Sequence, residues 1–184
     1  MRLWLLRHAR VNLPSGLCYG ASDVHADAAA TEAAALAFAG QPSQHCPLFA
    51  SPLERTRSLA QSLRQQRSDL PETIFDARLQ EMNFGQWEMQ RWDDIPRSAF
   101  DLWLADFARH RFGGRESTQE FIDRVAEALQ DLRVPGHEEA IWITHAGVIR
   151  AVTFLLQGSQ RIIQSAEQWP QAAPAMGEWI ACDV

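Results

Sequence analysis

Short apolar runs alternate along this chain with longer segments whose apolar residues have helical spacing. The runs cover residues 3–6, 47–50, 140–144 and 179–182, and a weaker one covers residues 73–75. This alternation is typical of an α/β fold with a largely parallel sheet. We therefore predict a three-layer α/β/α architecture with a mostly parallel sheet, in which helices cover both faces of the strands.

Four helices are predicted between these strands. Two begin with a Ser-x-x-Glu capping box, at Ser51 and at Ser117. The first should extend to about Gln66, and the second should pack its apolar face on the sheet. The other two helices are expected at residues 27–39 and 147–157, because a glycine follows each segment and ends it.

The segment 84–116 does not fit this alternation. It is rich in tryptophan and arginine, and it resembles neither a strand nor a simple packing helix throughout. Two interpretations stay open, a lid over a binding site or a separate hydrophobic cluster beneath a long excursion of the chain. We expect at least one, but not all, of Trp87, Trp92 and Trp103 to border the site. Residues 157–174 predict a loop with one short helix.

The length of 184 residues indicates a single domain over residues 1–184. All 17 lysine-plus-arginine positions are arginines. The absence of lysine excludes a Schiff-base lysine, a pyridoxal anchor and the phosphate-loop Gly-Lys-Ser/Thr motif. Cationic binding therefore depends on guanidinium groups, which suit carboxylate and phosphate oxygens.

The net charge of −6 makes nucleic acid an improbable partner. The first ten residues lack the pattern of a secretory signal, and no apolar run approaches the ~20 residues of a membrane span. We expect a cytoplasmic protein without a membrane partner. The three cysteines are widely separated and lack zinc-site spacing, so we predict reduced thiols and no metal.

Histidines directly follow two of the predicted strands, at His8 and at His145. In open α/β sheets, ligands bind beyond the carboxyl ends of the strands, so the two histidines could meet at one site. A single histidine in this position is more often structural. However, Arg7 ends the strand that His8 follows, and Arg55 lies one turn into the capped helix. Glu81 falls in the segment 79–85. Together these residues would supply a nucleophile, two cations and an acid.

Four motifs in this order resemble those of the histidine phosphatase superfamily, the phosphoglycerate mutase-like proteins. They are Leu-Arg-His-Ala at residues 6–9, Ser-Pro-Leu-Glu-Arg at 51–55, the segment 79–88 and Thr-His-Ala-Gly-Val at 144–148. The resemblance spans about residues 1–156 and implies a phosphoglycerate mutase-like fold. The Phe-Gly-x-Trp-Glu motif and the Cys-Tyr-Gly segment look most like the alpha-ribazole phosphatases of cobalamin assembly.

The resemblance implies a reaction in two steps without a metal or a cofactor. His8 would attack phosphorus and become phosphohistidine, which divides one difficult displacement into two easier ones. Glu81 would protonate the leaving alkoxide and then take a proton from the attacking water. The substrate would be a small-molecule phosphate ester.

The resemblance also implies the phosphate contacts. Arg7 and Arg55 would clamp the phosphate, and His145 would donate a hydrogen bond to its oxygens. Asn12 is a candidate for the phosphate-contacting asparagine of the family, although it lies closer to His8 than is usual. Ala9 and Arg10 depart from the family pattern beside the nucleophile.

Several functions stay open at this point. The substrate could be alpha-ribazole 5'-phosphate, another sugar or nucleotide phosphate, or a phosphohistidine protein. Mutase activity is less favoured, because the family's mutases are longer. A regulatory protein that only binds a phosphorylated ligand is the non-enzymatic alternative. The sequence does not indicate the oligomeric state.

Overall fold

Five strands form one sheet in the computed structural model, which describes residues 1–132, 136–158 and 161–184. Along the chain they are β1 (Arg2–Arg7), β2 (Leu48–Ala50), β3 (Ile74–Phe75), β4 (Glu139–Thr144) and β5 (Trp179–Asp183). Their order across the sheet is β3-β2-β4-β1-β5, and β5 alone runs antiparallel to its neighbour. The prediction of a mostly parallel sheet is confirmed.

Helices cover both faces of this sheet. The described residues form α1 (Ala28–Phe38), α2 (Glu54–Gln66), α3 (Arg97–Ala105), α4 (Thr118–Asp131) and α5 (Ala146–Gln157). Alternate residues of β1 point to opposite faces. Leu3 and Leu5 belong to the apolar core that includes residues of α4 and α5, whereas Leu6 belongs to the core that includes α1 and α2. The three-layer architecture is therefore also confirmed.

The two predicted capping boxes have different outcomes. At α4 the box forms, because Ser117 Oγ accepts from the Glu120 amide at 3.2 Å and the Glu120 carboxylate accepts from the Ser117 amide at 2.9 Å. At α2 the prediction is wrong, since the helix begins at Glu54 and not directly after Ser51. Asp23 accepts from the Glu54 amide at 2.6 Å instead.

The two segments outside the regular alternation, residues 84–116 and 157–174, contain short helices and 3₁₀ turns in their described parts. Within residues 84–116 the chain forms two 3₁₀ turns, Gly85–Trp87 and Trp92–Asp94, followed by α3. The expected short helix between residues 157 and 174 is a 3₁₀ turn at Ala166–Gln168, while residues 159–160 lie outside the described part. Among the described residues, no helix is both long and apolar enough to cross a membrane.

Candidate active site

A cavity of about 420 Å³ lies at the carboxyl end of β1, beside the first turns of α2 and α5. Four of the six predicted site residues line it, namely Arg7, His8, Arg55 and Glu81. We call these four the polar group. The topology brings them together because β1 and β4 are parallel neighbours and β2 pairs with β4, so all three strands end at one edge.

His8 follows β1 and is almost completely buried. Its Nδ1 lies 2.8 Å from Ala9 O, and because a carbonyl only accepts, Nδ1 carries the proton. Burial, and then the charge of Arg55, lower the pKa of His8 to about 3. The imidazole is therefore neutral at physiological pH, with an unprotonated Nε2.

Arg55 lies in the first turn of α2 and is fully buried. Its guanidinium donates to Gly20 O at 2.6 Å and to Ser22 O at 2.8 Å. Its Nε donates to His145 Nδ1 at 3.2 Å. These bonds fix the position of a buried positive charge beside His8.

His145 lies next to the polar group, with its ring centroid 5.2 Å from that of His8. Burial, followed by the charge of Arg55, lowers the pKa of His145 well below its ordinary value. Because Nδ1 accepts from Arg55, the proton of the neutral ring lies on Nε2, which donates to Ser51 Oγ at 2.9 Å. Both ring nitrogens are thus bonded within the protein. In this arrangement the predicted donation from His145 to a phosphoryl oxygen is not available.

Arg7 is the last residue of β1. Its Nη1 donates to Pro174 O at 2.9 Å. Its Nε is buried without a hydrogen-bond partner in the described part of the chain. Arg7 therefore keeps donors that a bound anion can use, and fewer protein hydrogen bonds hold it than hold Arg55, which makes three.

Glu81 is held at the N-terminus of α5. Its Oε2 accepts from the Gly147 amide at 3.0 Å, and its Oε1 accepts from the Met82 amide at 3.0 Å. The absence of a side chain at Gly147 makes this approach possible, since a Cβ there would lie 2.0 Å from Glu81 Oε1. These two amides and the close approach at Gly147 fix the position of the Glu81 side chain beside α5.

Asn12 does not line the cavity. It is exposed, and its side-chain amide donates to Ala26 O at 3.2 Å. The chain around it forms an isolated bridge between Val11 and Ala26. The structure thus gives no support to the predicted phosphate contact, because local pairing takes up the amide of Asn12.

Aromatic rings line much of the remaining cavity surface. We call this surface the aromatic wall; it consists of Phe84, Trp92, Trp103, Phe107, Phe121 and Trp169. The ring of Trp103 stacks on Phe112 with centroids 4.5 Å apart, and its Nε1 donates to Thr118 Oγ1 at 3.1 Å. The segment 84–116 thus forms an aromatic cluster and also borders the cavity. Trp87 does not line the cavity, as expected for one of the three tryptophans.

Sequence reasoning missed several lining residues. Tyr19 lies with its ring centroid 5.4 Å from the guanidinium carbon of Arg55. Arg150 follows Gly147 by three residues on α5, so helical spacing was a usable signal for it. Trp169 and Gln171 lie in a segment without periodicity, which gave no such signal.

Comparisons with known proteins find matches over most of the chain. Residues 3–173 match the model of the histidine phosphatase superfamily (branch 1). The chain is 28% identical to the adenosylcobalamin/alpha-ribazole phosphatase of Salmonella typhimurium, an alignment that covers 100% of this chain and 91% of the relative. The crystal structure of the alpha-ribazole phosphatase from Shigella flexneri superposes with a TM-score of 0.81 and 26% identity, covering 100% and 91%. A relative from Hydrogenobacter thermophilus is 29% identical, over only 60% of this chain and 55% of its own length.

Proposed function

The chain belongs to the histidine phosphatase superfamily, and we propose that it hydrolyses the phosphate monoester of a small molecule through a phosphohistidine formed on His8. The observation that carries this proposal is the state of His8. Its neutral ring has Nδ1–H bonded to Ala9 O, which leaves the Nε2 lone pair available at a cavity that Arg7 and Arg55 also line. A nucleophile surrounded by cations suits a phosphate ester.

In the first step, His8 Nε2 attacks phosphorus and the ester P–O bond breaks. Glu81, which lines the same cavity, enters this step as a carboxylic acid. It gives its proton to the leaving oxygen and becomes a carboxylate. In the second step, a water molecule attacks phosphorus and gives a proton to the Glu81 carboxylate. The P–N bond then breaks, inorganic phosphate leaves, and His8 returns to its neutral form.

The arginines neutralise the charge of the transferred group without a metal ion. Arg7 offers donors directly to the phosphoryl oxygens. Arg55 supplies a fixed positive charge whose orientation is set by Gly20 O and Ser22 O. His145 holds the Nε of Arg55, so in this proposal it supports the phosphate clamp.

The aromatic wall supports a leaving group that contains a ring. Flat apolar side chains such as Trp92 and Trp103 pack well against a planar ring, while Arg150 and Gln171 add polar contacts. Two of the similar proteins that match over their full length are named for alpha-ribazole. We therefore place alpha-ribazole 5'-phosphate first among the substrates, with another sugar or nucleotide phosphate as the alternative. The segment 84–116 would act as the lid.

The first experiment tests the nucleophile. His8→Ala should abolish turnover without unfolding the protein, and acid-labile phosphate should be trapped on the wild-type protein but not on the variant. A chelator should leave the activity unchanged. Turnover by His8→Ala at the wild-type rate would disprove the phosphohistidine mechanism.

The second experiment tests the acid and the substrate. Glu81→Gln should lose far more activity on an alkyl phosphate than on p-nitrophenyl phosphate, because nitrophenolate leaves without a proton. Equal losses would remove Glu81 from the role of proton donor. Comparing kcat/KM for alpha-ribazole 5'-phosphate with that for sugar phosphates, nucleotides and phosphoserine would rank the substrates.

A further inference from the structure

The loop that carries Glu81 is bound from outside the cavity by one arginine. Arg124, on α4, donates from Nη1 to Arg78 O and to Gln80 O, both at 2.7 Å, and from Nη2 to Glu81 O at 3.1 Å. It does not line the cavity that holds the polar group. Three backbone carbonyls of a single short loop therefore converge on one guanidinium.

Glu116 completes this clamp. Its carboxylate accepts from Arg124 Nε at 2.7 Å and Nη2 at 3.1 Å, and also from the Asn83 amide at 3.0 Å. All five N–H groups of the guanidinium can thus be used. The two side chains are only 20% and 16% exposed, so the ion pair is better shielded from solvent than a surface pair.

The clamp has a direct consequence for Glu81. Its carboxylate reaches the amides of Gly147 and Met82 only if the loop backbone stays in place. Without the guanidinium, the carbonyls of Arg78, Gln80 and Glu81 would lose their donors, and the loop would have to move to find others. Lysine would not replace the arginine, because its single ammonium cannot match the planar fork.

We propose that Arg124, paired with Glu116, is a positioning residue that sets the reach of the Glu81 carboxylate toward the leaving group. This inference rests on the proposed function, in which Glu81 is the proton donor. It predicts that damage to the clamp impairs protonation of the leaving group specifically, and not phosphate binding.

The test is Arg124→Lys, assayed on an alkyl phosphate and on p-nitrophenyl phosphate. We expect kcat on the alkyl ester to fall about 10-fold more than on the aryl ester, with KM little changed, since a misplacement of about 1 Å costs up to 10²-fold. Arg64→Lys is the matched control, because it also disrupts a forked arginine–carboxylate pair, with Glu72, away from the cavity. That control should leave both rates unchanged.

A double variant separates this inference from the proposed function. If Glu81 is the group that Arg124 positions, adding Arg124→Lys to Glu81→Gln should not increase the alkyl-to-aryl difference further. A large difference for Glu81→Gln with none for Arg124→Lys would overturn the inference and leave the function standing. No difference for Glu81→Gln would overturn the function itself.

A milder variant keeps the inference testable if Arg124→Lys does not fold. If circular dichroism shows that Arg124→Lys is unfolded, Glu116→Gln tests the inference in its place. The amide oxygen of the glutamine can still accept from the Asn83 amide, while the charge that pairs with Arg124 is lost. The folded Glu116→Gln should show the same alkyl-selective loss, smaller in size. Equal losses on both esters would overturn the inference.

Discussion

Gly147→Ala should separate activity from stability, because it adds one methyl group at the point where α5 meets Glu81. Gly147 is the second residue of α5, so alanine suits its backbone conformation. Alanine is also the better helix former, by up to ~1 kcal/mol. This gain is similar in size to the cost of weakening the hydrogen bond from the Gly147 amide to Glu81, so the free energy of unfolding should change by no more than about 1 kcal/mol.

The effect on the carboxylate follows from one distance. The added Cβ would lie 2.0 Å from Glu81 Oε1, whereas Cβ contacts below 3.0 Å essentially do not occur. The carboxylate must therefore retreat by at least about 1 Å, which weakens its bond from the Gly147 amide. A displacement of this size can cost about 10²-fold in rate. We expect a loss of that order in kcat on an alkyl phosphate, and a much smaller loss on p-nitrophenyl phosphate.

Two quantities are measured for wild type, Gly147→Ala and Gly40→Ala. They are kcat on each of the two esters and the midpoint of thermal unfolding. Gly40 is the matched control, since a Cβ there meets nothing within 4 Å. It should change neither rate. Full alkyl-phosphate activity in a folded Gly147→Ala protein would refute the reasoning, because it would mean that the observed position of Glu81 does not matter for catalysis.

The remaining predictions concern the environments of His8 and Arg55. Burial first, and the Arg55 charge second, take the pKa of His8 from 6.5 to about 3, so between these values the unfolded chain binds a proton that the folded chain does not. The free energy of unfolding should thus fall as pH decreases from about 6.5 toward 3. Urea unfolding at pH 7 and at pH 4.5 should show that wild type loses more of this free energy than His8→Ala does. Equal losses would contradict the low pKa of His8. Glu88 accepts from the amides of Ala21, Ser22 and Phe84 and so holds the loop whose carbonyls orient Arg55. Glu88→Gln should lower the free energy of unfolding by about 2 kcal/mol and weaken inhibition by vanadate several-fold, whereas unchanged inhibition would exclude this link.

The regular elements were predictable because their signals are local. Helix α4 begins where its Ser-x-x-Glu sequence predicts, since both partners of the capping box lie within the same turn. The same signal failed at α2. There the hydroxyl of Ser51 bonds to His145, a residue 94 positions away, and a tertiary contact of this kind leaves no mark on the local pattern.

The position of the site was predictable from the strand ends, whereas the bonding of its side chains was not. The ends of β1 and β4 place His8 and His145 together because parallel neighbouring strands end at one edge. The bonding of the His145 ring depends on where Arg55 and Ser51 arrive, which spacing does not encode. Trp169 reaches the cavity from a segment without periodicity, so no sequence pattern indicated it.

Several arginines in this lysine-free chain have a structural role, because they hold loops together through backbone carbonyls. Arg55, Arg67 and Arg124 each donate to two or more backbone carbonyls of loops, and so act as internal connectors as well as charges. A lysine cannot span several carbonyls with one ammonium group. Replacement of arginine by lysine should therefore be tolerated at exposed pairs such as Arg97 with Asp101, and not at these three connectors. Two of the connectors hold the loops around the polar group, so the same chemistry that stabilises the loops also fixes the geometry that the proposed reaction requires.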